Sequence, residues 1–373
     1  MNSLRLCYVG PAASITLRRW VKWFGARGHD VTVITVEPAE LSLEAFRQIN
    51  VNMPRWPRTI GRLLSAVRMA IAVRRLRPDV VHFHYLRGLA WGGPLTGSHP
   101  CVVTPWGSDV LEEQGAFREW YSRTLTCRVL ERADLVTVHS AYLEQRVRGL
   151  LLDTAPMARI GRGVNLEVFR PGLDVRPLRQ RWHIGDECRV IFSPRLAKPF
   201  YHHERVIRAI PAVSEKYSAV LLVIAEQFAD PAYVADLRRL AKDLGVADRV
   251  KFVGAIPYHE MPLWLNLSEA VVMIPRSDGM PNTLLEAMAC GTVPVLNRLP
   301  QYAELIKHGV NGFLVDPDEG DLAGPLISVL SNVGLREHIA QQNRDTIKRE
   351  ADQNREMSKM ENWYERLTGG HRA

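Results

Sequence analysis

The feature that most narrows the fold of this chain is a regular alternation of short, β-branched apolar runs with longer stretches of helical periodicity. In the first half the apolar runs are Arg5–Val9, Asp30–Thr35, Val80–His84, Cys101–Thr104 and Leu135–His139. Helical patterns fall between them, notably at Ile15–Ala26, Ile60–Leu76 and Phe117–Glu131. A second set begins at Arg189–Pro194 and continues through Ala219–Ile224, Val250–Val253, Ala270–Ile274 and Val293–Leu296. Strands of this kind, separated by helices, belong to doubly wound parallel sheets. At 373 residues there is material for two full cores. The expectation is an α/β chain of two Rossmann-like domains, 1–170 and 189–349, with a linker at 171–188 that carries two prolines and no convincing strand. A polar helical stretch follows from about Leu335 to Leu367.

Chemistry concentrates in Ser277–Cys290, which places the carboxylates Asp278 and Glu286 eight positions apart across a strand-to-helix junction. Asn282 and Thr283 are natural helix caps, and Leu284 to Met288 are good helix formers. Gly279 allows a ligand to approach the main chain closely. Such a loop aims a helix N-terminus, with its free N–H groups, at a diphosphate. Asp278 and Glu286 are then placed to accept hydrogen bonds from the diols of ribose and hexose. The plainer alternative is a capped amphipathic helix packing Leu285 and Met288 on a core.

The net charge of +8 is unevenly placed. Residues 1–170 hold 23 Lys/Arg against 14 Asp/Glu, so the whole excess lies in the first half and points to an acidic partner there. Its focus is residues 55–77, with Arg55, Arg58, Arg62, Arg68, Arg74, Arg75 and Arg77. Leu63, Leu64, Val67, Ala70, Ile71 and Val73 alternate with them at near-helical spacing. A basic amphipathic helix suits anionic lipid headgroups; the alternative is a domain helix with one buried and one solvated face. No apolar run reaches the roughly 20 residues that span a bilayer. The N-terminus reads as a first strand rather than a signal peptide. The five scattered cysteines form no CxxC pair. Reduced thiols in the cytoplasm are the expectation. A pI near 9.4 raises nucleic-acid binding, but the charge sits on one helix without a recognisable nucleic-acid motif.

The segment Asp278–Glu286, with Leu285-Glu-Ala-Met-Ala289 and Gly291-Thr-Val-Pro-Val295, resembles the E-x7-E region of the retaining family-4 glycosyltransferases of GT-B fold. Asp278 stands where that family more often has Glu. Further blocks resemble the family in the same order: Ala26–Ile34, Arg77–His82, Thr104–Asp109, Ala133–Ser140, Gly163–Phe169 and Gly309–Val315. The resemblance implies two domains facing across a cleft, with a terminal helix at about 350–373 crossing back onto the first. It implies transfer of a sugar from a UDP- or GDP-sugar to a glycan or lipid-linked acceptor, in polysaccharide or glycolipid synthesis at the inner face of the membrane. Neither a protein nucleophile nor a metal or other cofactor is implied. The alternative is a GT-B protein that binds nucleotide-sugar or glycan without transfer.

The resemblance also implies roles. Arg195 would bind the diphosphate, together with Asp278 and Glu286 as the catalytic set. Donor contacts would come from Gly10, Lys198 and the run Gly279, Met280, Pro281, Asn282, Thr283 and Leu284. Phe200 stands where the family has a second diphosphate-binding lysine, and Lys198, His202 and His203 are candidates to replace it. Ser14, Trp106 and Asp109 would lie on the acceptor side, Trp106 in place of a family histidine. Asp109 reads equally well as a turn cap. Base selection is expected near Gly254–Ile256. His82 and His84 share a strand face, but no third metal ligand is evident. Asp316-Pro-Asp318 reads as a structural loop.

Overall fold

The computed structural model describes residues 3–37, 46–53, 58–111, 116–150, 155–316 and 320–369. It divides into two compact units, Met1–Arg162 with Asn354–Ala373, and Gly163–Gln353.

The first unit is built on seven parallel strands: β1 (Arg5–Val9), β2 (Asp30–Thr35), β3 (Arg47–Asn50), β4 (Val80–His84), β5 (Cys101–Thr104), β6 (Leu135–Val138) and β7 (Met157–Arg159). Their order is β3-β2-β1-β4-β5-β6-β7. Successive side chains point to opposite faces, and both faces are covered. Cys7, Val9, Val81, Phe83 and Val103 pack on one side, and Leu6, Tyr8, Val80, Val102 and Leu135 on the other. Helix Gln353–Gly369 belongs to this unit, laying Met357, Met360 and Tyr364 against the second of these faces. The buried Glu361 on that helix accepts from Arg27 Nε at 2.8 Å and lies 3.0 Å from His29 Nε2.

The second unit carries six parallel strands: β8 (Arg189–Ser193), β9 (Val220–Ile224), β10 (Val250–Phe252), β11 (Ala270–Met273), β12 (Val293–Asn297) and β13 (Phe313–Val315). Their order is β10-β9-β8-β11-β12-β13. The expected linker is not one. Residues 171–188 contain helix Arg176–Trp182, and Leu178 and Ile184 are buried in this unit's core with Val164 and Phe169. Their apolar residues are too sparse to read as an element, and the helix is only two turns long, closed by His183 at φ 51°.

Helix Arg58–Leu76 also departs from expectation. Its packed face is made of Ala66, Met69, Ala70 and Val73, and Ala66 is slim enough for Gly92 to approach, where a Cβ would fall 2.8 Å from the Ala66 carbonyl. Ile60, Leu63, Val67 and Ile71, one turn apart along the helix, are 45, 63, 38 and 42% exposed. The exposed face is therefore apolar as well as basic. Arg55 and Asp318, singled out in the sequence, lie outside the described residues. No described helix is long and apolar enough to cross a membrane.

Candidate functional site

In open parallel sheets, ligands bind beyond the carboxyl ends of strands where the order reverses. In the second unit that point lies between β8 and β11. β8 delivers Arg195 and β11 delivers Asp278, and the two meet: Arg195 Nη2 donates to Asp278 Oδ2 at 2.7 Å. Tyr302 Oη donates to the same oxygen at 3.0 Å, Gly279 N–H to Oδ1 at 2.8 Å, and Gln301 Nε2 to the Asp278 carbonyl. Arg195 also lies over the Tyr201 ring. Burial works against its charge, and the carboxylate of Asp278 together with the hydroxyls of Tyr201 and Tyr302 more than offsets this. Arg195 Nε is buried and has no hydrogen-bond partner among the described residues. The guanidinium is thus anchored at one corner with a second donor unspent. Asp278 was expected to hold sugar hydroxyls; here both its oxygens are already engaged in orienting Arg195 and its own loop.

The helix that follows spans Asn282–Cys290. Asn282 and Thr283 do not cap it. They lie in its first turn, and Pro281 occupies the cap position at φ −71° without a side-chain bond. The helix is not the amphipathic element of the plainer reading either, since every residue from Leu284 to Cys290 is buried. Met280 and Pro281 are buried beside the loop. Glu286 is 2% exposed, and Tyr258 Oη donates to its Oε1 at 2.9 Å. Gly254 takes φ 70° and gives its N–H to Glu226.

Of the three candidates for the missing lysine, His203 is fully engaged: Nδ1 lies 2.9 Å from Ser193 Oγ and Nε2 3.0 Å from the Leu196 carbonyl. His202 sits 3.0 Å from Glu204. Lys198 is exposed, directly after the buried Ala197 and just ahead of the short helical turn Pro199–Tyr201.

In the first unit the order reverses between β1 and β4. Gly10, at the end of β1, is in close contact with β4: a Cβ there would fall 2.8 Å from the His84 carbonyl. In the turn after it, the N–H groups of Gly10, Ala12, Ala13 and Ser14 are all engaged within the unit. Gly10 N–H goes to Ile34, Ala12 N–H to Thr35, Ala13 N–H to Glu37 Oε2 at 2.6 Å and Ser14 N–H to Pro11. Ser14 caps helix Ile15–Ala26 through Thr16 N–H. Asp109 is a buried clamp, accepting from the N–H groups of Leu86, Trp106 and Gly107, and burial outweighs these bonds to raise its pKa. It is thus committed to the backbone rather than turned to an acceptor. Trp106 lines a cavity of about 380 Å³ with Gly10, Glu37, His84, Tyr85 and Arg87.

The two histidines of β4 divide. His82 Nδ1 lies 2.5 Å from Tyr364 Oη and Nε2 2.5 Å from Thr104 Oγ1, so neither nitrogen is left for a metal. His84, stacked on it at 4.1 Å, has neither ring nitrogen bonded among the described residues. Among the described residues, no three His, Cys, Asp or Glu side chains are grouped to hold a metal ion. Sequence reasoning assigned no part to Tyr258, Tyr302, Glu37 or a cavity at His84. Only the last carried a signal, as the end residue of a strand at the switch point.

Residues 174–346 match the family model "Glycosyl transferases group 1", and residues 5–140 match "Glycosyl transferase 4-like". The chain belongs to the group 1 glycosyltransferases. This glycosyltransferase has the GT-B fold, as do its structural neighbours. It is similar, at 28% identity over 79% of each chain, to a Mycolicibacterium smegmatis protein named GDP-mannose-dependent alpha-(1-6)-phosphatidylinositol monomannoside mannosyltransferase. It is 26% identical to the D-inositol 3-phosphate glycosyltransferase of Acidothermus cellulolyticus, over 70% of this chain and 61% of that one. Among solved structures, sucrose-phosphate synthase of Thermosynechococcus elongatus superposes with a TM-score of 0.84 at 19% identity, covering 98% of this glycosyltransferase and 99% of that chain. Anabaena HepE in complex with UDP-glucose gives 0.82 at 18%, covering 98% and 100%.

Proposed function

We propose that this glycosyltransferase moves a hexose, with retention of configuration, from a nucleoside-diphosphate donor held by the second unit to a hydroxyl of a lipid-linked saccharide. The observation that carries this reading is Arg195, anchored by Asp278 at a switch point with its Nε unspent beside a loop that leads into an uncapped helix start. Preorganised donors of this kind stabilise charge as it develops on a departing diphosphate. Guanidinium is permanently charged and forks onto phosphate oxygens. Lys198 supplies the second cation, and no metal ion is needed to neutralise the leaving group. Glu286, buried against Tyr258, accepts from the ribose diol. Asp278 acts through Arg195. The acceptor hydroxyl loses its proton to the departing diphosphate, so the reaction needs no carboxylate nucleophile.

A GDP-sugar is the first donor to test, because the relative matched over 79% of both chains is named for GDP-mannose. The lipid-linked acceptor rests on the same name and on helix Arg58–Leu76. Its exposed apolar ridge, flanked by Arg62, Arg68, Arg74 and Arg75, fits an anionic leaflet, the apolar groups entering the headgroup layer while the arginines meet phosphates. The enzyme then works at the cytoplasmic surface of the membrane.

The test is calorimetric titration with GDP, UDP, ADP and their sugars, beside Glu286→Gln. One base should bind, and the variant should bind it at least tenfold more weakly, the loss of about 1.4 kcal/mol expected of a charged hydrogen bond. Equal affinity in the variant removes Glu286 from the ribose site; binding of no nucleotide by folded protein removes the donor assignment.

A further inference from the structure

Helix His203–Lys216 begins with a buried imidazole that no step of the proposed reaction uses. His203 is 0% exposed, and both its ring nitrogens are bonded to the turn that follows β8. Nε2 lies 3.0 Å from the Leu196 carbonyl, which can only accept, so Nε2 carries the ring proton. Nδ1 is then the acceptor and takes the Ser193 hydroxyl at 2.9 Å. The two bonds bracket Pro194 and Arg195. The Leu196 carbonyl also accepts from Lys198 N–H at 2.8 Å, so both its lone pairs are engaged. The ring is held from behind as well: His203 N–H donates to Tyr233 Oη at 2.9 Å, and that hydroxyl donates to Glu204. Burial lowers the His203 pKa, which keeps the ring neutral at neutral pH. An apolar side chain could fill this place without bringing polar atoms into the core. What the imidazole adds is the pair of bonds to the turn.

We propose that His203 is a positioning residue for the donor diphosphate: as a strut between Ser193 and Leu196 it fixes the turn that carries Arg195, and so the direction of the guanidinium. This rests on the reading of Arg195 as the diphosphate-binding cation and adds the residue that sets it. Asp278 holds Arg195 at the guanidinium end, and His203 holds it at the backbone end. Neighbouring parts of the turn are tied separately, Ala197 through its carbonyl to Asp230 N–H at 2.9 Å and Phe200 through its carbonyl to Arg276 N–H at 3.0 Å. The stretch from Ser193 to Leu196 is thus the part of the turn that depends on His203. Donors that stabilise a departing diphosphate act because they are in place before charge develops. A misplacement of roughly 1 Å in such a group is enough to be felt in binding and in rate.

The experiment compares His203→Gln with His203→Asn in the full chain. Glutamine places an amide N–H where Nε2 stands and reaches the Leu196 carbonyl. Asparagine, one methylene shorter, reaches only as far as Nδ1 and leaves that carbonyl without its second donor. Calorimetry measures GDP and UDP beside guanosine and uridine, with urea unfolding on the same samples. For the base that the wild type takes, His203→Asn should weaken the nucleoside diphosphate about tenfold and leave the nucleoside within about twofold. His203→Gln should keep most of the wild-type affinity. In an Arg195→Ala background the same asparagine substitution should cost no more than about threefold, because groups that act as one unit are not additive. Equal losses for nucleotide and nucleoside, equal behaviour of the two variants, or a full loss that persists without Arg195 overturns the proposal. Should His203→Asn not fold, nitrogen-15 NMR of the wild-type imidazole decides. A proton on Nε2 supports the strut, and a proton on Nδ1 overturns it, since Leu196 then has no donor from the ring. Wild-type protein that binds no nucleoside diphosphate strikes the donor reading itself, whereas the outcomes above strike the role of His203 alone.

Discussion

Asp278→Asn separates the two tasks of the Arg195–Asp278 pair. The substitution keeps the shape and one acceptor oxygen for Tyr302 and Arg195, removes the charge, and turns an NH2 toward Gly279 N–H in place of the second acceptor. A hydrogen bond to a charged group contributes about 1.5–3 kcal/mol, against about 0.5–1.5 for a neutral one. Stability should therefore fall by about 1–1.5 kcal/mol. Solvent takes little off this figure, because the side chains are only 18% and 15% exposed. For a unit of this size that lowers Tm by roughly 2–6 °C. Nucleotide affinity should move the other way. A carboxylate about 6 Å from a phosphate charge repels it by roughly 3 kcal/mol at an effective dielectric near 20, before salt screening. Its removal should tighten nucleoside diphosphate binding about tenfold or more. Thermal melts and calorimetry with GDP and UDP read both quantities on one sample. A variant as stable as the wild type refutes the anchoring of Arg195 by Asp278; one that binds nucleotide more weakly shows that orienting Arg195 outweighs the repulsion and refutes the predicted gain in affinity.

Other outcomes follow from the same geometry. Asp109→Ala should cost about 2–3 kcal/mol in urea unfolding by releasing three backbone N–H groups, with nucleotide affinity unchanged; unaltered stability with a raised acceptor KM would return Asp109 to the acceptor. Replacing Leu63, Val67 and Ile71 together by Ser should abolish co-sedimentation with anionic vesicles, and retained binding would place the membrane contact elsewhere. Burial depresses the pKa values of His82, His84 and His139. Between the unfolded value near 6.5 and the folded one the unfolded chain binds more protons, so this stability is present above pH 6.5 and lost as pH falls. For His84 that window runs down to about 3. The stability lost between pH 7 and pH 5 should be about 2 kcal/mol smaller in His84→Phe than in the wild type, and parallel losses would argue against a buried neutral ring.

The central strands were legible because each is short, apolar and flanked by helical periodicity. β3, β7 and β13 were not, being outer strands of three or four residues, and β3 (Arg-Gln-Ile-Asn) is mostly polar. The junction at Ser277–Cys290 was legible as a place but not as an arrangement. Residue letters put Asp278 on a loop; the length of its side chain and the position of Tyr302, 24 residues away, turned it onto Arg195. Asp109 shows the same limit, since a cap and a ligand contact have one sequence signature and differ only in which N–H groups fold around the carboxylate. Helix Arg58–Leu76 was recognised with its faces misjudged. Its core face pairs Ala66 and Ala70 with Met69 and Val73 against a glycine-bearing segment, and Leu63, Val67 and Ile71 stand outside it.

The placement of helix Gln353–Gly369 bears on the order in which the protein can be made. Met357, Met360 and Tyr364 complete one face of a sheet whose first strand begins at Arg5. On a ribosome adding roughly 5–20 residues per second, that sheet would wait some 10–40 s after its own strands emerge before the helix that seals it arrives. The second unit, whose segments all lie between Gly163 and Gln353, would have everything it needs sooner. The half made first is then the half finished last. Throughout that interval an apolar face built around Leu6, Tyr8 and Val80 stays open to chaperones or to another nascent chain.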